Sequence, residues 1–303
     1  MNVLVTGITG YVGSRLAPAL ARDGHAVRGF TRRGEASLQF PVVRGDLVSG
    51  DGLRQAFKGI DIAYFLIHSM EASVDDSFPA RERRAAENFA HAAREAGTAR
   101  IVYLGGLAPA ASSASIHLRS RLEVERILLE ATPCSVALRA SIVIGAGSRS
   151  FRFLVRLVER LPILAIPAWR NNRTAPIDER DMIELLVRAG SSEAVCGQAL
   201  DAGGPETVSY EELIDRIRAN LLLNRPALRL RRLTLTPIAS RVSAVIAGED
   251  HALIGPLMEG LDGDLLPRDD RAARLLDVRL HSLDAAIEHA LREWEASESL
   301  AAR

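Results

Sequence analysis

The chain opens Met1-Asn-Val-Leu-Val-Thr6-Gly7-Ile-Thr9-Gly10-Tyr11-Val12-Gly13, and this stretch narrows the choice of fold more than any other. Asn2 to Thr6 is a short apolar run suited to a strand covered on both faces. Val12, Leu16 and Leu20 then recur at helical spacing until Asp23-Gly24 ends the helix. Strand, glycine turn and helix in that order let backbone amides approach a pyrophosphate, with the helix N-terminus adding partial positive charge beneath it. Gly7, Thr9, Gly10, Tyr11, Val12 and Gly13 are therefore the expected pyrophosphate-side residues.

Strands and helices alternate through the first two-thirds of the sequence, as a parallel sheet with crossover helices requires. Strands are expected at Ala26 to Phe30, Pro41 to Arg44, Asp61 to Ile67, Arg100 to Leu104 and Ser135 to Ile144, with helices from Phe78 to Ala96 and Leu118 to Glu130. The expected fold is α/β: a Rossmann-type doubly wound parallel sheet with a smaller, mostly helical C-terminal domain on the substrate side. Residues 1–150 form the sheet domain, with 175–203 returning to it, and 204–303 form the lid, with 151–174 contributing. Phe151 to Leu161 reads as a helix, Asp181 as the cap of a helix running to Ala189, and Gln198 to Ala202 as a return to the sheet. Ser209-Tyr-Glu-Glu212 reads as a capping box. Phe151, Phe153, Leu154, Ile166 and Trp169, with Leu235 to Ile246, are expected to line one apolar pocket.

Charge excludes some partners. Lys plus Arg number 38 and Asp plus Glu number 38, so no global field favours nucleic acid or an anionic membrane. The two cysteines, Cys134 and Cys196, lie far apart with no CxxC spacing, which argues against a disulfide framework or a zinc site and fits a reducing compartment. The chain begins directly in a strand, with no room for a cleavable signal, and no apolar run reaches the length of a membrane span. A cytoplasmic location, no integral membrane contact and no metal are expected. Leu233 to Ala247, interrupted by Pro237 and Arg241, suits a core or pocket helix, with peripheral membrane contact as the alternative.

Cofactor choice is read at the end of the second strand, where an acid would bind the adenosine ribose diol. Thr31-Arg32-Arg33 stands there instead, two guanidinium groups suited to a 2'-phosphate, so NADP(H) is preferred and NAD(H) remains the alternative. Asp46, after the third strand and ahead of Leu47, reads as a turn aspartate that caps the next helix. Leu66, Ile67 and His68 close the fourth strand at the carboxyl edge of the sheet, where a ligand lies. His68 is read there as cofactor-side lining or as a proton donor.

The chain resembles the atypical short-chain dehydrogenase/reductases (SDRs), in particular a bacterial group of NAD(P)H-binding proteins related to the NmrA-like family and to a nucleotide-binding accessory subunit of respiratory complex I. The resemblance rests on Thr6 to Gly13, Tyr64-Phe-Leu-Ile-His68-Ser-Met70, Ile101-Val-Tyr-Leu-Gly105-Gly-Leu107, His117-Leu-Arg-Ser-Arg121, Leu138 to Ser148, Asp201-Ala-Gly-Gly-Pro205 and Leu235-Thr-Pro237. It implies cofactor contacts at Gly105, Ala140 and Ser141, and it places Asp46 with Leu47 near the adenine, a use compatible with capping. Catalytic SDRs carry Tyr-x-x-x-Lys in the helix after the fifth strand; here His117 and Arg121 stand at that spacing, and the companion serine is missing. That departure removes the standard mechanism; in the reductase reading His117 or an ordered water supplies the proton and Arg121 holds the ribose, in an oxidoreductase acting on a small apolar carbonyl, enone or quinone-like substrate. The other reading is a non-catalytic NADPH-sensing regulatory or assembly protein with a protein partner, in which His117 serves the helix start and Arg121 pairs with Glu125.

Overall fold

Val3, Leu4 and Val5 have no exposed surface, and the strand they form, β1 (Asn2–Thr6), runs through the middle of a seven-stranded sheet. The computed structural model describes residues 1–32, 39–67, 78–107, 116–160, 164–166, 168–223, 227–229 and 263–298. The other sheet strands are β2 (Ala26–Thr31), β3 (Val42–Arg44), β4 (Ile62–Phe65), β5 (Arg100–Gly106), β6 (Val136–Ala140) and β7 (Ala199–Ala202). They lie in the order β3-β2-β1-β4-β5-β6-β7, all parallel. Chain order reverses between β1 and β4, and the crevice beyond the carboxyl ends there is where open α/β sheets bind ligands.

Alternation along β1 divides the core. Val3 and Val5 face α1 (Tyr11–Arg22), whose Leu16 and Leu20 pack with them. Leu4 faces the opposite layer of α2 (Leu53–Phe57), α3 (Phe78–Glu95) and α4 (Ile116–Leu129), through Phe57, Phe89 and Leu128. A further cluster unites α5 (Arg149–Arg160) with two later helices. Before the second of these, α6 (Glu179–Ser191) completes the α1 layer through Met182 and Leu185. Its partners are α7 (Tyr210–Asn220) and, beyond the short α8 (Arg271–Leu275), α9 (Leu283–Ser297). Ala272 and Leu276 belong instead to the core under the sheet.

Four expectations need correction. The strand expected from Ser135 to Ile144 divides: β6 ends at Ala140, and Val143–Ile144 pairs with Ile177–Asp178 outside the main sheet. Asp178, not Asp181, caps α6, its carboxylate accepting from Arg180 N at 2.8 Å. Asp181 lies fully buried inside the helix and accepts from His281 N at 2.7 Å. Half of the capping box forms, with Ser209 Oγ accepting from Glu212 N at 3.1 Å while the Glu212 carboxylate pairs with Arg216. Cys134 and Cys196, 62 residues apart, form a disulfide, because one precedes β6, the other precedes β7, and those strands are neighbours. Among the described residues no helix is long and apolar enough to cross a membrane. Residues 233–247 lie outside the described residues.

Candidate functional site

The glycine turn leaves little freedom for any other residue. Gly7 sits at φ +65°, in the left-handed region that glycine tolerates best. A Cβ added at Gly13 would stand 2.1 Å from Gly7 O, a backbone atom that cannot swing aside. Gly13 thus lets α1 close onto the turn, and Gly10 N donates to Gly7 O at 2.8 Å. Gly10 caps α1 without a side-chain bond, and the first helical turn has no acidic residue. The amides of Tyr11, Val12 and Gly13 therefore open the helix with no N-cap side chain bonded to them, an arrangement suited to an anion. Thr9 is exposed at the tip of the turn.

The Tyr11 side chain has another engagement. Its hydroxyl donates to Glu179 Oε2, and its ring lies where side chains at Gly145 and Gly147 would otherwise be. Arg15 stacks on that ring at 5.0 Å and pairs with Glu179 at 2.8 Å and Glu293 at 2.5 Å. Burial pushes the Tyr11 phenol far above its ordinary value, and the neighbouring Glu179 carboxylate adds to the shift. Burial also raises Glu179, despite the bonds from Tyr11 and Arg15. The cluster ties α1 to α6 and α9, and so holds the turn in place. It borders a cleft of about 770 Å³ between those helices, lined in part by Ser14, Arg15, Ile183 and His289. The sequence reading assigned roles to neither Arg15 nor Glu179, since their pairing spans 164 residues.

At the end of β2, Arg32 is exposed and its carbonyl accepts from Arg44 Nε at 3.2 Å. Gly45 N donates to Thr31 O at 3.0 Å, which sets Asp46 beside that strand end. Asp46 Oδ1 accepts from Val48 N at 2.6 Å and Ser49 N at 3.3 Å, so it closes its own turn. Leu47 is buried in the layer beneath.

At the centre of the edge, Thr6 Oγ1 donates to Tyr64 O at 2.9 Å and accepts from Leu66 N at 3.1 Å. This clamp holds β1 and β4 together, and Leu66 and Ile67 flank Gly7. Along β5, Gly105 and Gly106 reach the same edge. A Cβ at Gly106 would lie 2.9 Å from Arg121 Nη1, so the α4 arginine reaches across to the strand end. Arg121 Nε is buried and, among the described residues, has no hydrogen-bond partner. Glu125, one turn along α4, is taken by Arg139 of β6 through bonds of 2.6 and 2.7 Å. Arg139 went unnoticed in the sequence because its partner lies on another element.

Ala140 O accepts from Leu107 N at 3.0 Å, and Ser141 Oγ lies 3.1 Å from Thr174 Oγ1. The structure thus gathers Gly7, Gly10, Gly13, Leu66, Ile67, Gly105, Arg121, Ala140 and Ser141 at the carboxyl ends of β1, β4, β5 and β6. His117 lies in the first turn of α4, but its side chain, like Arg33 and His68, lies outside the described residues. A glycine cradle that side chains would fill and a buried guanidinium atom lacking a partner both fit a dinucleotide.

Residues 3–144 match the model of the NAD dependent epimerase/dehydratase family. Over this segment the chain is similar to that family and to the atypical SDRs, and its sheet has the Rossmann-type order expected of one. Among relatives, a ceramide reductase of Caulobacter vibrioides is 30% identical over 61% of this chain and 59% of its own length. A mitochondrial protein of Arabidopsis thaliana, NADH dehydrogenase [ubiquinone] 1 alpha subcomplex subunit 9, is 25% identical over 70% of this chain and 56% of its own. The chain therefore spans less than three-fifths of the length of either relative. MoeE5, solved with UDP-glucose and NAD, has the same fold, with a TM-score of 0.72 and 21% identity over 98% of this chain and 99% of that one.

One expectation about the site fails. Phe151, Phe153, Leu154 and Trp169 do not line a pocket together; they are buried in a packed core with Tyr210 and Trp294. Trp169 meets Tyr210 edge to face at 5.7 Å. Apolar residues at helical spacing bury equally well against protein or ligand, and here α7 and α9 supply the protein. Ile166, for its side chain, and Leu235 to Ile246 lie outside the described residues.

Proposed function

We propose that the chain is a cytoplasmic, NADP(H)-dependent reductase of a small apolar carbonyl, enone or quinone-like substrate. The observation that carries the reading is Arg121: a guanidinium at the position of the SDR lysine, beside Gly106, with its Nε buried and unpartnered among the described residues. Left without a ligand, such a group costs stability; with ribose hydroxyls or a carbonyl oxygen beside it, the cost is offset.

Gly7, Gly10 and Gly13 would admit the pyrophosphate, and Arg32 with Arg33 would select the phosphorylated ribose. Leu66, Ile67, Gly105, Ala140 and Ser141 would flank the nicotinamide end. The bound dinucleotide supplies the hydride. Arg121 holds and orients but does not give up its proton near neutral pH, so His117 or an ordered water delivers the proton, with His68 the further candidate. Residues 204–303, with 151–174, serve as the substrate-side lid. The relatives named ceramide reductase and 3-beta-hydroxysteroid dehydrogenase support apolar substrates.

Titration of NADPH and NADH against the native chain and Arg32→Ala tests the cofactor assignment. The reading requires tighter NADPH binding and an about tenfold loss of that preference in the variant. Equal native affinities contradict it. The absent tyrosine and lysine favour a second reading, an NADPH-binding regulatory or assembly protein. Binding without turnover across an aldehyde, enone and quinone panel would establish that reading instead.

A further inference from the structure

The disulfide lies at the amino edge of the sheet, away from the glycine turn. Cys134 precedes β6 and Cys196 precedes β7, with Cα atoms 4.5 Å apart. Those strands are already joined there by Gly197 N to Ser135 O at 2.8 Å and Ala137 N to Gln198 O at 2.9 Å. Register therefore does not depend on the cross-link.

Arg100, at the start of β5, is fixed beside the sulfurs. Its Nη1 donates to Ala189 O and Ser192 O, both at 2.9 Å. Its Nη2 points at Cys134 Sγ from 2.7 Å and at Cys196 Sγ from 3.4 Å. Glu193 pairs with the same guanidinium, its Oε1 3.1 Å from Arg100 Nη2, while its Oε2 lies 3.3 Å from Cys196 Sγ and 4.0 Å from Cys134 Sγ. Arg100 and Glu193 are the charged side chains within hydrogen-bond distance of the pair among the described residues. They do not cancel. The Arg100 side chain is 5% exposed and that of Glu193 is 87% exposed, so water screens the carboxylate much more than the guanidinium. Both cysteines are partly exposed.

We propose that Cys134 and Cys196 form a thiol–disulfide exchange site, reduced by low-molecular-weight thiols, in which Arg100 holds Cys134 as the leaving thiolate. An external thiolate attacks Cys196 Sγ and forms a mixed disulfide. The Cys134–Cys196 bond breaks, and its electron pair leaves on Cys134 Sγ beside Arg100. A second external thiolate attacks the external sulfur of the mixed disulfide. The small disulfide departs, and Cys196 leaves as a thiolate and takes a proton from water. Two external thiols are oxidised, their protons pass to solvent, and the protein cystine gains two electrons. Arg100 favours this course because a better-stabilised thiolate leaves faster.

The test treats the full chain with glutathione and counts free thiols by mass-tagged maleimide while circular dichroism follows the fold. Reduction of the folded native protein by millimolar glutathione is expected, slowed about tenfold in Arg100→Gln and partly restored in Arg100→Lys. Because Arg100→Gln also removes bonds to α6, the single variants Cys196→Ser and Cys134→Ser provide a second reading with the arginine intact. The lone Cys134 should be alkylated half-maximally at least about one pH unit below the lone Cys196. A cystine reduced only when the protein unfolds, or two thiols with the same alkylation profile, overturns the proposal.

Discussion

Arg139 of β6 holds both oxygens of Glu125 on α4, at 2.6 and 2.7 Å. The helix neighbour that sequence spacing would pair with Arg121 is therefore already engaged. Among the described residues, the buried Arg121 Nε is left without a partner at the carboxyl edge of β5.

If Arg121 binds the cofactor, Arg121→Met should weaken NADPH binding about tenfold or more, a charged hydrogen bond being worth roughly 1.5–3 kcal/mol. Arg121→Lys should recover part of the loss. Fluorescence titration, with thermal melts as the folding control, distinguishes a lost ligand contact from a lost fold. Unchanged affinity in a folded Arg121→Met would remove the residue from the site.

Gly13→Ala should be severe. Its added methyl meets the Gly7 carbonyl and the Ile8 Cα at 2.1 and 2.8 Å, so either α1 lifts from the turn or the turn opens. A loss of about 1–3 kcal/mol in stability is expected, with NADPH affinity falling further than the melting temperature alone explains. A variant that binds normally would show that the helix–turn contact is not needed.

Among the described residues, removing Arg15 leaves the Glu179 carboxylate, 7% exposed, with the Tyr11 hydroxyl as its hydrogen-bond donor and His289 Nε2 3.9 Å from Oε1. Arg15→Met should cost about 2–4 kcal/mol in denaturant unfolding. Tyr11→Phe, which removes one neutral donor, should cost about 1–2 kcal/mol. The reverse ranking would show that the phenol is the main support of Glu179.

Glu82 on α3 accepts from Ser120 Oγ at 2.8 Å, yet burial raises its carboxyl above the ordinary value, outweighing that bond and the Arg121 charge. A raised folded-state value means that the folded chain binds the proton more tightly than the unfolded one. The stability it contributes is present at low pH and is lost as pH rises through the folded value. Glu82→Gln does not ionise, so its stability relative to the native chain should improve as pH rises from the ordinary glutamate range upward. Melting temperatures across pH 4 to 8 check the sign; a difference that shrinks with pH refutes it.

The glycine turn was legible because its strand, turn and helix are contiguous, and the sheet followed because each strand carries its own apolar run. What escaped notice depends on pairs distant in sequence. Glu125 is spaced for Arg121, but a strand brings Arg139 to it. Cys134 and Cys196 show no motif, and only the adjacency of β6 and β7 unites them. Asp178 and Asp181 both precede apolar helical residues, so local sequence does not decide the cap. Backbone geometry gives it to Asp178, and burial gives Asp181 to His281. Phe151 and Trp169 have the pattern of a pocket wall and of a core alike.

The central claim, turnover rather than binding alone, is tested most directly by NADPH oxidation with the purified full chain and a panel of apolar aldehydes, enones and quinones. The account predicts oxidation that depends on substrate and is faster with NADPH than with NADH. It also predicts a fall of about a hundredfold to ten-thousandfold in His117→Ala while NADPH affinity holds, as for loss of a positioned acid. NADPH bound tightly by the native chain and oxidised with no member of the panel would contradict it.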